Sequence, residues 1–156
     1  MASQIVFKFE RGGELVAHLM QDVAPKTVKA VIDALTLTST STAFHTRWCG
    51  REVYLPIETR IKVWQENATS QTNTGDVVYW KEWEKDWGED DSAPAEALAM
   101  YYGPELLRYH GGTLRANVFA RIPQSQWPVI EEIGLRVWQQ GVEKVTLSLR
   151  EHQESG

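Results

Sequence analysis

The residues with chemical capacity concentrate in one stretch, Ala43 to Ile57 (AFHTRWCGREVYLPI). It holds His45, Arg47, Trp48, Cys49, Arg51, Glu52 and Tyr54 around a glycine at Gly50. Such a run reads as strand, turn, strand. Alternation sends Phe44, Thr46 and Trp48 to one face and His45 and Arg47 to the other. Histidine and glutamate move protons, and an arginine fork grips a carboxylate at two points. A face with His45 and Arg47, beside an ionisable or aromatic residue of the next strand, therefore has the parts of a polar site. A solvated outer face uses the same residues.

A second set of arginines (Arg47, Arg51, Arg115, Arg121) stands among aromatic residues (Trp48, Tyr54, Trp80, Tyr101, Tyr102, Phe119). Arg115 and Asn117 share one face of their strand. Turned into a barrel mouth, that face grips a small anion; turned outward, its arginine pairs with the chain's acidic residues. There is no nucleophile elbow, no phosphate-cradling glycine loop and no HExxH helix. His45 and His110 lie far apart in sequence, so no metal motif is read, and the expectation is chemistry without a cofactor. The single cysteine leaves no internal disulfide and no cysteine-based zinc cage.

The elements that must position these groups follow from composition and periodicity. A chain of 156 residues, 42% hydrophobic and 24% charged, suits one globular domain. A net charge of -5 argues against a nucleic-acid backbone as partner. No apolar run is long enough to cross a membrane. The start, MASQIVFKFERGGE, alternates early and has no apolar leader, which predicts an unprocessed cytoplasmic protein. Seven tryptophans are too many to dismiss, because tryptophans near charges build binding surfaces.

In chain order, Gln4 to Phe9 and Leu15 to Met20 read as a hairpin turned at Gly12-Gly13. Asp22 and Pro25 open a helix whose Val28, Val31, Ile32 and Leu35 fall at helical spacing. The Thr/Ser-rich run to Thr42 leads into the strand of the central stretch. Glu58 to Trp64 reads as a further strand, and 65–74 as a polar loop whose Asn67 sequon is discounted. Val77 to Trp80, Leu98 to Tyr102 and Arg115 to Ile122 are strands. Ser125 caps a second helix with Ile130, Ile133, Leu135, Val137 and Trp138 on its apolar side and Gly141 as its stop. Val142 to Leu149 closes the chain. Between them, 81–97 is acidic and carries Trp83 and Trp87: an exposed insertion with its tryptophans tucked back, or a lid or subunit-contact loop. Strands in succession with only two helices predict a mainly β, closed antiparallel barrel capped by two helices, one domain over 1–150 with a polar tail at 151–156.

The order DVAPKTVKAVIDAL, FHTRWCGREVYLPI, GDVVYW, MYYG and GGTLRANVFARI, before a final helix and strand, resembles the cyclophilin-like family of small bacterial proteins of unknown function. The resemblance spans nearly the whole chain and implies the same helix-capped barrel. In the wider group a strand of the form FHR lines the isomerase cleft. Here Phe44-His45-Thr46-Arg47 matches it in part, and the glutamine-glycine-glycine-aspartate run that follows in prolyl isomerases is absent.

Three functions are open. By fold analogy the resemblance implies a cofactor-independent enzyme on carboxylated metabolites, of the cucumopine-synthase type, joining histidine to a 2-oxo acid by Pictet–Spengler ring closure. In that reading His45 or Glu52 moves protons and Arg47 and Arg115 clamp carboxylates. Trp48, Tyr54, Trp80, Tyr102 and Asn117 complete the ligand site, and the partner is a small anionic metabolite, an amino acid or 2-oxo acid. The alternative is a non-catalytic ligand-binding or subunit-contact module with the tryptophan loop as its interface; under either reading a homo-oligomer is expected. Prolyl isomerisation is the third.

Overall fold

Gly12 and Gly13 make the first reversal, with φ of +114° and +97°, values that a side chain would strain. They join β1 (Gln4–Phe9) to β2 (Glu14–Leu19), with Phe7 opposite Leu15 and Ile5 opposite Ala17. The computed structural model describes residues 2–47, 49–83, 94–109 and 112–151. Helix α1 (Pro25–Leu35) and strands β3 (Thr40–His45) and β4 (Glu52–Pro56) follow. Next come two short bridges, β5 (Ala68–Thr69) and β6 (Gln71–Thr72), then β7 (Asp76–Lys81) and β8 (Glu96–Tyr101). Three more bridges, β9 (Glu105–Leu106), β10 (Arg108–Tyr109) and β11 (Gly112–Thr113), precede β12 (Ala116–Arg121), α2 (Trp127–Gln140) and β13 (Glu143–Arg150).

Eight strands run β2-β1-β13-β3-β4-β8-β7-β12, and β12 pairs back to β2. Every pairing is antiparallel, and the β12–β2 pairing closes the sheet on itself as expected. The main core fills the inside: Ile5, Phe7, Val53, Leu55, Val77, Tyr79, Leu98, Met100 and Phe119, covered by Val28 and Val31 of α1 and by Ile130, Ile133 and Val137 of α2. Among the described residues no helix is long and apolar enough to cross a membrane.

Both helix starts differ from the sequence reading. Asp22 does not cap α1; its N-cap residue is Ala24, which makes no side-chain cap bond. The acceptor comes from far along the chain, where Glu66 takes the N–H groups of Lys26 (3.3 Å) and Thr27 (2.9 Å) and the Thr27 hydroxyl (2.8 Å). Ser125 lies in a short 3₁₀ turn, Gln124–Gln126, and α2 begins at Trp127 without a side-chain cap. Gly141 does stop α2, at φ +89°. The expected strand from Glu58 to Trp64 does not form. Pro56 ends β4, and the next segment is spent bonding to its neighbours instead: Trp64 O accepts from Asn117 Nδ2 (2.9 Å) and Glu66 N donates to Asn117 Oδ1 (2.9 Å). Leu135 and Trp138, expected on the apolar side of α2, are exposed.

Of the acidic stretch, Trp83 folds inward, 4% exposed, and its indole N–H donates to Val63 O at 2.8 Å. Residues 84–93, with Trp87, lie outside the described residues, as do Trp48, His110 and the tail beyond Glu151.

Candidate functional site

Strand alternation gives β4, β7, β8 and β12 a second apolar face on the outside of the barrel. Val78, Ala99, Tyr101, Ala116 and Val118 form it with Cys49 and Leu107, and Tyr54, Trp80 and Leu114 pack against it. Residues 105–109 and 112–114, the roof, lie over this face through Leu107, which is 1% exposed, and Leu114. An open cleft of about 1540 Å³ runs between roof and sheet, bordered by Phe44, Glu52, Tyr54, Trp80, Arg108 and Tyr109 among others. Its floor is made of small residues, Ala97, Ala99, Val78 and Ala116, which leave depth where larger ones would fill it. Two aromatic pairs wall it. Phe44 stacks on Tyr54 (centroids 5.3 Å, planes 16° apart), and Trp80 meets Tyr109 at 6.0 Å.

Glu52 stands at one end of this floor. It is directly opposite Tyr101 in the β4–β8 ladder and accepts the Tyr101 hydroxyl through Oε2. The Thr46 hydroxyl is its second donor. Burial pushes the Glu52 carboxyl up most strongly; the two hydroxyls pull it down, and the charge of Glu105 pushes it up again, leaving it at about 7. A carboxylic acid titrating there is poised for proton transfer at neutral pH. Its phenol partner does not ionise. Burial first, then the neighbouring Glu52, raises Tyr101 well above the usual phenol range.

Cys49 ties the roof to this corner. Arg108 N donates to its sulfur at 3.3 Å, and the thiol lies 3.6 Å from the carbonyls of Leu106 and Arg108. Burial, then the charge of Glu52, raises its pKa to about 11, so it is a packed thiol and no nucleophile. Glu105 anchors the start of the roof on the same side, accepting Arg51 N at 2.8 Å and Arg51 Nε at 3.1 Å.

The structure distributes the sequence-derived residues over several places. Glu52, Tyr54 and Trp80 meet in the cleft, and Arg47 lies exposed on its border. His45 also borders the cleft, but it pairs with Val53, whose side chain is in the core, while Glu52 occupies the other face. The His45 ring engages Tyr102 and Trp138: Nε2 is 2.6 Å from the Tyr102 hydroxyl, and the ring centroid is 4.8 Å from Trp138. His45 and Glu52 are therefore not one acid–base pair. Arg115 is exposed and donates to Ala68 O at 3.0 Å. Asn117 is fully buried and satisfied by Glu66 N, Trp64 O and Thr27 Oγ1. Trp48 lies outside the described residues.

Sequence reasoning left out Thr46, Tyr101 as Glu52's partner, Cys49 as the roof's anchor, and Arg108 and Tyr109. One signal for Tyr101 was present. In MYYG, alternation must send Tyr101 and Tyr102 to opposite faces, and only one of them can share Glu52's. Among the described residues no group of His, Cys, Asp and Glu is arranged to hold a metal ion.

Several solved structures share the fold, two of them as follows. McbB in complex with tryptophan superposes with a TM-score of 0.66 at 18% identity, covering 98% of this chain and 46% of McbB. The chain thus spans less than half of the McbB length. The hypothetical protein AF2241 from Archaeoglobus fulgidus, a solution structure, gives a TM-score of 0.52 at 23% identity, covering 96% of this chain and 95% of that one. No curated protein matches the sequence. A family model described as "Protein of unknown function (DUF3830)" matches residues 9–149, and the chain belongs to that family.

Proposed function

We propose that this protein is a cofactor-independent acid–base enzyme for a small carboxylated metabolite, with Glu52 as its proton-transfer group and the outer cleft as its substrate site. One observation carries the reading: Glu52 titrates near neutrality, on the border of an aromatic cleft, with hydroxyls and no cation as its partners among the described residues. The cleft supplies the remaining parts. Phe44–Tyr54 and Trp80–Tyr109 suit a planar ring, and Arg47 and Arg108 on the border suit carboxylates.

The reaction that fits best is an opine-type Pictet–Spengler condensation. The amine of histidine attacks the carbonyl of a 2-oxo acid, and water leaves as the iminium forms. An imidazole carbon then bonds to the iminium carbon, and the proton on that ring carbon is removed to restore aromaticity. The sum loses one water and is redox-neutral, so side chains suffice. Glu52 takes the ring proton, and its protonated form assists the loss of water. That McbB, a fold neighbour, is seen with tryptophan supports an aromatic amino acid as the size of ligand this barrel accommodates.

Incubation with histidine and 2-oxoglutarate, followed by mass spectrometry, tests it. The expected product has the summed mass less one water and fades in Glu52→Gln. If wild type yields no such product between pH 6 and 8, the condensation is wrong. The subunit-contact reading has its own observation, the exposed Leu135, Trp138 and Val142 around the end of α2. A monomeric wild type in sedimentation would remove it.

A further inference from the structure

We propose that Tyr101 is a positioning residue for Glu52: its hydroxyl, fixed across the β4–β8 ladder, holds the carboxyl in place and sets the pH at which it exchanges its proton. The inference rests on the proton-transfer role given to Glu52 above. Its ground is geometry. Tyr101 is the direct cross-strand partner of Glu52 and bonds it through Oε2. The side chain is only 1% exposed, locked among Cys49, Val78, Ala99, Leu107, Ala116 and Val118, so it holds one orientation. Burial leaves it too little surface to bind a ligand itself.

Among the described residues, the groups facing Glu52 come from three elements. Tyr101 faces it from β8, with Asp76 of β7 acting on Tyr101 in turn. Thr46 and Cys49 face it from the β3–β4 connection, where Cys49 N donates to Thr46 Oγ1 at 3.4 Å and leaves the Thr46 proton for the carboxyl. Glu105 faces it from the roof. Among these, only the two hydroxyls favour the carboxylate. A hydroxyl stabilises an anion without neutralising it, so the proton stays exchangeable near neutral pH. An arginine in the same place would fix the charge.

Removing the Tyr101 hydroxyl leaves burial and Glu105 opposed by Thr46 alone. The test is the Glu52 titration in the full chain without substrate, followed by carbon NMR of labelled glutamate carboxyls and assigned by the signal lost in Glu52→Gln. Tyr101→Phe keeps the ring and its packing, and should raise the Glu52 midpoint by about one pH unit. Thr46→Val, read in parallel, should move it the same way by less. In turnover, the acid limb of the pH profile should move up with the midpoint. A midpoint within about 0.3 unit of wild type in Tyr101→Phe, or a fall, overturns the proposal. So does a shift in Thr46→Val alone. Because the titration is read without turnover, a shifted midpoint supports the proposal even if Glu52→Gln keeps full activity, an outcome that would sink the catalytic reading instead.

Discussion

Glu52 and Glu143 are both carboxylates withdrawn from water, and their surroundings hold them in opposite ways. Glu143, at the start of β13, is 4% exposed. Arg136 grips it through Nε (3.0 Å) and a terminal nitrogen (2.6 Å), and Arg11 adds Nε at 2.7 Å. Burial alone would push the Glu143 carboxyl up, but the bonds and charges of Arg136 and Arg11 outweigh it and hold it below the ordinary value. The result ties together the β1–β2 turn, the end of α2 and β13. Among the described residues Glu52 has hydroxyl partners and no arginine, and burial dominates. A buried carboxylate with cations is a fastener; one with only neutral donors keeps its proton near pH 7 and remains available for chemistry.

The sharpest way to break this contrast is to make both residues glutamine. Glu52→Gln should lower turnover by about 10²–10⁴-fold with the fold intact, because a positioned acid–base group is worth that much. Glu143→Gln should leave turnover per folded molecule unchanged and destabilise the protein by about 2–3 kcal/mol in urea titrations, since two arginines lose their anion. If Glu143→Gln abolished turnover in the folded protein, or Glu52→Gln had no effect on it, the assignment of roles would be wrong.

Stability against pH separates the two carboxylates further. Glu52 binds its proton more tightly folded (about 7) than unfolded (about 4.5). From pH 4.5 to 7 the unfolded chain therefore gives up this proton before the folded one does, and stability falls as pH rises through that window. The full penalty at pH 8 is at most about 3 kcal/mol, less with solvent screening. Glu52→Gln removes it, so the variant should be more stable than wild type at pH 8 by about 2 kcal/mol and lose that advantage by pH 4.5. Glu143, with its pKa lowered, has the opposite sign: its stabilisation is present above the ordinary carboxylate value and is lost as pH falls below it. A Glu52→Gln variant no more stable than wild type at pH 8 would mean that the carboxyl is not held against ionisation.

The contrast also marks what the sequence could carry. Period-two alternation, the Gly12-Gly13 turn and Gly141 made the strands, the first hairpin and the second helix's stop legible, because they are local. The closed barrel, sealed by β12 on β2 about 100 residues apart, came from the succession of strands and the family resemblance. The helix caps were not. Glu66 caps α1 from about 40 residues away, and no local pattern contains that partner. Gly134 inside α2 carried no local meaning either; a Cβ there would come within 2.3 Å of the Tyr102 ring, so its role exists only once helix and barrel meet. Of the site, Glu52, Tyr54 and Trp80 were named from residue type and the structure brings them together in the cleft. Alternation put His45 and Arg47 on one face of the hairpin, but which face would be roofed depended on Leu107 and its neighbours, some 60 residues later. Asn117 looked like a ligand-gripping amide and is instead spent on backbone groups that its strand neighbours could not reveal.

His45 gives the smallest expected effect and a direct test of the faces. Its Nδ1 lies 3.1 Å from Thr46 O, which only accepts, so Nδ1 carries the hydrogen and Nε2 takes the Tyr102 hydroxyl. Both nitrogens are used in the neutral ring, and burial lowers its pKa from the ordinary 6.5. The unfolded chain gains this proton first as pH falls below 6.5, so His45 costs stability toward acid, in the range where Glu52 adds it. His45→Phe keeps a ring against Trp138 and removes that loss. It should leave turnover within about threefold of wild type and the pH–rate profile unmoved, because Glu52 titrates on the opposite face. The stability slopes of Glu52→Gln and His45→Phe relative to wild type should then carry opposite signs between pH 6.5 and 5. A pH–rate profile that follows His45 instead would return the proton-transfer role to the inner face of the hairpin.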